Sequence, residues 1–169
     1  GNLDSSDPKP HPFPPQTDWK FTQHNPFKAV YESRRRSVYL MTQRMQRHPY
    51  LAIFDGADPS ASTPFRGTST TPLQALFLMN DKFVHEQSEA FARRIKTGPQ
   101  APEARLRYAY QSALGRSPEP EEIRQGIEFI LAAQRRLRES GVDAGPAEAQ
   151  SWQALSRVLF RLNEFVYID

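Results

Sequence analysis

Apolar residues recur at spacings of three and four through most of this chain, and no stretch alternates long enough to suit a strand. From Phe27 to Arg47, Tyr31, Val38, Met41 and Met45 fall on one helical stripe, and Pro49 ends it. Tyr50 to Phe54 predicts a helical turn closed by Asp55-Gly56, followed by a polar loop from Asp58 to Ser69. Thr71 as N-cap, Pro72 at the first helical position and Gln74 three residues after Thr71 predict the next helix start. Leu73, Leu76, Phe77, Phe83, Val84, Phe91 and Ile95 supply its apolar face. Asn80-Asp81 breaks it, because short polar side chains compete for backbone hydrogen bonds, and Gly98-Pro99 stops it.

Three more helices follow. One runs from Pro102 to Leu114 with Leu106, Ala109, Tyr110 and Ala113 inward and Gly115 at its C-terminal cap. The next, from Pro120 to about Ser140, turns in Ile123, Ile127, Ile130, Leu131 and Leu137. After a flexible turn from Gly141 to Gly145, the last begins near Pro146 and carries Trp152, Leu155, Leu159 and Leu162. The expected fold is mostly α, with about five to six helices in an irregular bundle over residues 27–169. Residues 1–26 are different: six prolines fix φ and remove amide donors, so an extended arm is expected. Phe13, Trp19, Phe21 and Phe27 are large aromatics that gain by lying on a surface, so the arm is read as docked.

Composition narrows the chemistry. With 169 residues the chain supports one packed domain, and its aliphatic or aromatic runs, Tyr50 to Phe54 and Ala75 to Met79 among them, do not exceed five residues and fall far short of the roughly 18–20 residues of a membrane span. It has no cysteine, which removes disulfides, thiolate nucleophiles, zinc–thiolate sites, iron–sulfur clusters and any haem attached here through Cys-x-x-Cys-His. The net charge is +3, carried by 17 Arg and 5 Lys against 19 acids. Arg34, Arg35, Arg36, Arg44 and Arg47 cluster, and phosphate binding needs several cations on one surface. The remaining arginines are scattered among glutamates on helical segments, as on solvated helix faces, which argues against nucleic acid as the partner.

No Gly-x-Ser-x-Gly elbow, phosphate loop or dinucleotide fingerprint occurs, and His11, His24, His48 and His85 lack a partner histidine at helical spacing. The one loop with convergent polar chemistry runs from Phe54 to Arg66. Asp55 and Asp58 around Gly56 can offer oxygens to a hard cation, or serve as turn and cap residues bonded to the local backbone. Arg66 can neutralise either carboxylate or bind an anion.

Several strings in order then carry a family resemblance. They are His11-Pro-Phe-Pro-Pro15, Trp19 with Phe21-Thr-Gln-His-Asn-Pro-Phe27, Arg35-Arg-Ser-Val-Tyr-Leu40, Arg47-His-Pro49 and Phe54-Asp-Gly-Ala-Asp-Pro59. Arg66, Thr71-Pro-Leu-Gln-Ala-Leu76, Asn80-Asp81, Ala113-Leu-Gly-Arg116 with Pro118 and Glu122, and Asn163-Glu-Phe165 continue the series. The chain resembles the C-terminal part of the DUF1553 family, also called the planctomycete PSD1 domain, which usually follows a DUF1549 domain in long exported proteins. It departs from the family pattern at Glu119, where Thr is frequent before the Pro-Glu-Glu helix start, and at Pro8-Lys-Pro10, which replaces a glycine pair.

The resemblance implies an exported bacterial protein of several domains, of which this chain is the tail. An upstream DUF1549-like region is the implied partner, and c-type haem belongs to a separate domain, with no cofactor in this chain. It supplies no catalytic residues. The leading expectation is a non-catalytic helical structural or interaction module. The alternatives are a hydrolase-like or ligand-binding site around Asp55, Asp58 and Arg66 completed by upstream domains, and polyanion binding through Arg34 to Arg47.

Overall fold

The computed structural model describes residues 47–62 and 71–166, together with positions 17, 20, 37, 44 and 64. The predicted extended arm and most of the predicted Phe27–Arg47 helix lie outside the described residues, as do Arg34, Arg35, Arg36 and Arg66. The chain divides into two compact units, residues 2–71 and 72–169. Seven helices and no strand are present among the described residues: α1 (Pro49–Ile53) in the first unit, and α2 (Pro72–Asn80), α3 (Lys82–Thr97), α4 (Pro102–Leu114), α5 (Pro120–Glu139), α6 (Ala144–Leu159) and α7 (Asn163–Val166) in the second.

In the first unit, α1 is a single short helix opened by Pro49 at its first position. The Phe54 N–H returns to the Tyr50 carbonyl at 3.3 Å and the Gly56 N–H to the Leu51 carbonyl at 2.6 Å, so the chain turns back as expected. The rings of Tyr50 and Phe54 lie 5.2 Å apart across that turn.

The second unit is an irregular bundle in which α6 packs between α3 and α5, with α4 closing one side. Local signals set its boundaries. Asp81 separates α2 from α3 because its carboxylate accepts the Phe83 N–H at 2.8 Å, capping α3. Gly115 ends α4 in the left-handed region. α5 carries Glu121 and Glu122 in its first turn and Arg136 and Arg138 in its last, each sign matching the helix dipole. It ends in a Schellman turn. The Val142 N–H reaches the Leu137 carbonyl at 2.9 Å and the Gly141 N–H the Arg138 carbonyl at 2.9 Å, with Gly141 at φ 89°, where a side chain is strained.

α6 begins at Ala144, two residues before the expected start, and takes Gly145 and Pro146 into its first turn. Proline is tolerated there because first-turn amides have no intrahelical acceptor.

The core consists of Ala92 and Ile95 from α3, Leu106, Ala109 and Tyr110 from α4, Ile130 from α5, and Trp152, Leu155 and Leu159 from α6. The inward stripe of α3 is Val84, Ser88, Ala92 and Ile95, at steps of four, four and three. Ser88, Ser151 and Ser156 are fully buried beside it, and each hydroxyl is satisfied by a carbonyl three or four residues back. These small side chains let α6 approach its neighbours closely.

The expectation for four residues of the apolar faces is corrected. Leu73, Leu76 and Phe83 are exposed, and so is Leu131, because periodicity marks an apolar face without saying which face the bundle covers. In α2 the buried residue is Gln74, with Phe77 and Leu78 half-buried beside it.

Candidate functional site

Asp55 and Asp58 sit on the loop that leaves α1, and their backbone and bonds define what that loop is. Asp55 occupies the left-handed region at φ 53°, a conformation for which aspartate is one of the few tolerant side chains. Asp58 Oδ1 accepts the Ser60 N–H at 2.8 Å, an Asx turn, and its Oδ2 lies 3.5 Å from Arg47 Nη2. Ser60 in turn donates its hydroxyl to the Arg44 carbonyl. The loop therefore brings Asp58 together with Arg44 and Arg47, two members of the arginine cluster, and engages the Arg47 guanidinium with a carboxylate. Among the described residues no group of three or more His, Asp or Glu converges as a metal site would require.

Among the described residues the densest polar constellation lies elsewhere, in the second unit. Arg116 follows Gly115 in the α4–α5 connection, and its planar fork meets two carboxylates at once. Nη1 and Nη2 donate to the two oxygens of Glu122, each at 2.8 Å. Nε and Nη2 donate to those of Glu164 at 2.7 and 3.0 Å. Glu122 Oε2 also accepts the Glu119 N–H at 2.7 Å, which is the return half of a capping box and holds the start of α5. The guanidinium carbon stands 5.6 Å from the Tyr110 ring centroid. One arginine thus ties α4, α5 and α7 together.

Electrostatics follow the geometry. Hydrogen bonds from Arg116 hold both Glu122 and Glu164 below the usual carboxylate range, and the carboxylates raise Arg116 further above its own. Burial, then the charge of Glu122, pushes the Tyr110 phenol up.

A second network seals the other end. Arg105, 9% exposed, donates to the Pro99 carbonyl at 2.7 Å and to Glu148 Oε1 at 2.8 Å, while Lys96 Nζ lies 3.2 Å from Glu148 Oε2. Burial works to raise Glu148, but the bonds from Lys96 and Arg105 prevail and hold it below its ordinary value. Other arginines serve their own helices: Arg124 bridges Glu121 and Glu128, and its hydrogen bond holds Glu121 down to about 2.

The sequence pattern of the PSD1 family, described as proteins of unknown function (DUF1553), matches residues 1–130. The chain belongs to the PSD1 family. No curated protein and no solved structure matches it. Within the PSD1 match, Arg116 and Glu122 sit in the strings Leu-Gly-Arg and Pro-Glu-Glu, while Glu164, in Asn-Glu-Phe, lies past its end. The three strings, separate in the sequence, are one physical object, an arginine clamp. Glu164 was out of reach of spacing arguments because it stands 48 residues from Arg116.

The clamp makes a pH prediction. Glu122 and Glu164 lie below the ordinary value of 4.5 in the folded chain, so their contribution is complete above about pH 4.5 and is lost as pH falls through the lowered folded values. Urea midpoints measured from pH 7 to pH 2.5 are expected to fall across that acid range. Arg116→Gln is expected to lower the midpoint at pH 7, with a shallower acid limb that converges on the parent curve. Parallel curves would show that the clamp contributes no pH-dependent stability.

Proposed function

We propose that this PSD1 chain is a helical structural and interaction module, not a catalyst, in an exported multidomain bacterial protein, and that it docks on a DUF1549-like region expected upstream of it. The observation that carries this reading is α2. Its nine residues, Pro72 to Asn80, contain no charge, and apolar side chains occupy both its covered and its open sides. A helix without charge whose open side is also apolar belongs in a core or an interface. The two dense networks, around Arg116 and around Arg105, are saturated with protein partners, as stability elements are. In this reading Asp58 is a turn residue, supported by its bonds to Ser60 and Arg47.

The test is isothermal titration of the purified upstream region of the parent protein into this chain. Saturable binding in the micromolar range or tighter is expected. No heat of binding, with both partners folded by circular dichroism, overturns the proposal.

A further inference from the structure

We propose that the open face of α2, with Arg157 at its C-terminal end, is a docking surface for an acidic amphipathic helix. The inference rests on the interaction role above and names the surface and the chemistry of its occupant. Leu73, Leu76 and Met79 succeed one another at steps of three along α2 and are 65, 53 and 44% exposed, and Phe83 at the start of α3 is 47% exposed. They form an exposed apolar stripe on a helix whose opposite side, Gln74, Phe77 and Leu78, faces in.

The charge next to the stripe is positive. Arg157 on α6 donates through Nη2 to the Met79 carbonyl at 3.4 Å, which places its guanidinium at the C-terminal end of the stripe. Arg161 follows four residues further on, in the turn that leaves α6. The Nε atoms of both arginines are shielded from solvent and have no acceptor among the described residues, a costly state for a cationic donor. Among the described residues neither arginine pairs with a carboxylate, and the acids near the Met79 contact or near the arginines in sequence are committed. Asp81 caps α3, Glu86 pairs with Lys82, and Glu164 is held by Arg116.

What covers this surface must bring apolar side chains and carboxylates together. A second copy of the chain would bring its own leucine stripe and two more unpaired arginines, adding like charge. A nucleic acid would satisfy the arginines and leave the leucines wet. An amphipathic helix with apolar anchors at three and four residue spacing, flanked by Glu or Asp, satisfies both, with carboxylate–arginine bonds at the rim and helix-in-groove packing at the centre.

The experiment uses the full chain and two fluorescent synthetic peptides of about 16 residues with the same leucine pattern, one flanked by Glu and one by Lys. Fluorescence anisotropy is expected to show the Glu peptide binding at least about tenfold more tightly than its Lys twin. Leu76→Glu is expected to weaken that binding by about tenfold or more, and the double variant Arg157→Gln, Arg161→Gln by about five- to tenfold with a flatter salt dependence. Equal affinity for the two peptides, or binding unchanged by Leu76→Glu in a folded variant, overturns the proposal. So does a concentration-dependent dimer in sedimentation that Leu76→Glu abolishes, which would assign the face to a second copy. If the upstream region binds and the Glu peptide does not, this surface assignment fails while the interaction role stands. If the peptide binds and the upstream region does not, the surface is right and the upstream partner is wrong.

Discussion

Trp152→Ala is expected to cost the second unit about 3–5 kcal/mol, read as a fall in the urea midpoint by circular dichroism. Trp152 is 2% exposed and belongs to the same buried cluster as Ile95 of α3, Leu106 of α4 and Ile130 of α5. α6 is the element that both α3 and α5 pack against, so a cavity there loosens two interfaces at once. The surrounding side chains cannot collapse into the space easily, because backbone approach is already set by Ser88, Ser151 and Ser156, which have little bulk to rearrange. Domains of this size are held by only about 5–15 kcal/mol, so the variant is expected to be partly unfolded at moderate temperature. A loss below about 1 kcal/mol would mean that α6 is not the centre of the bundle.

Gly126→Val is expected to cost about 2–3 kcal/mol through crowding, the opposite fault. Gly126 is buried in α5, and a Cβ built there would stand 2.7 Å from Leu106 Cδ2 and 3.1 Å from Cδ1. Leu106 is fully buried, so its methyls have nowhere to go. Any side chain at 126 therefore presses on the Leu106 methyls of α4, and a branched one presses hardest. Gly126→Ala sets the same crowding against a gain of about 1 kcal/mol in helix propensity, so its net effect is smaller. Shortening the obstacle with Leu106→Val in the Gly126→Val background is expected to recover part of the loss, because residues in contact couple. Additive losses in that double variant would show that the two helices do not meet at this point.

The helical elements were legible where a local residue forces the chain's hand. Pro102 and Gly115 bracket α4 as read, because proline suits a first position and glycine a left-handed cap. Asn80-Asp81 marks the break before α3, because Asp81 captures the Phe83 amide. The start of α6 was misplaced for a local reason too: Gly145 and Pro146 look like turn residues, yet a first turn accepts both. The orientation of faces was not legible. Leu73, Leu76 and Phe83 have the spacing of a core stripe, and only the packed bundle shows that Gln74 turns inward in their place. Of the candidate site, the Asx turn at Asp58 was one of the two readings the loop allowed. The Arg116 clamp was present as three recognisable strings, but their convergence depends on how α7 folds back, which no spacing records.

The central claim is that α2 is left open by its own fold and closed by a partner. Leu76→Glu tests it most directly, with the melting temperature of the free chain and the binding of the upstream region measured on the same preparation. A residue 53% exposed tolerates the charge, so the account predicts a melting temperature within about 2 °C of the parent and loss of binding by about tenfold or more. A fall of about 5 °C or more in the free chain, or binding that survives the charge, would contradict it.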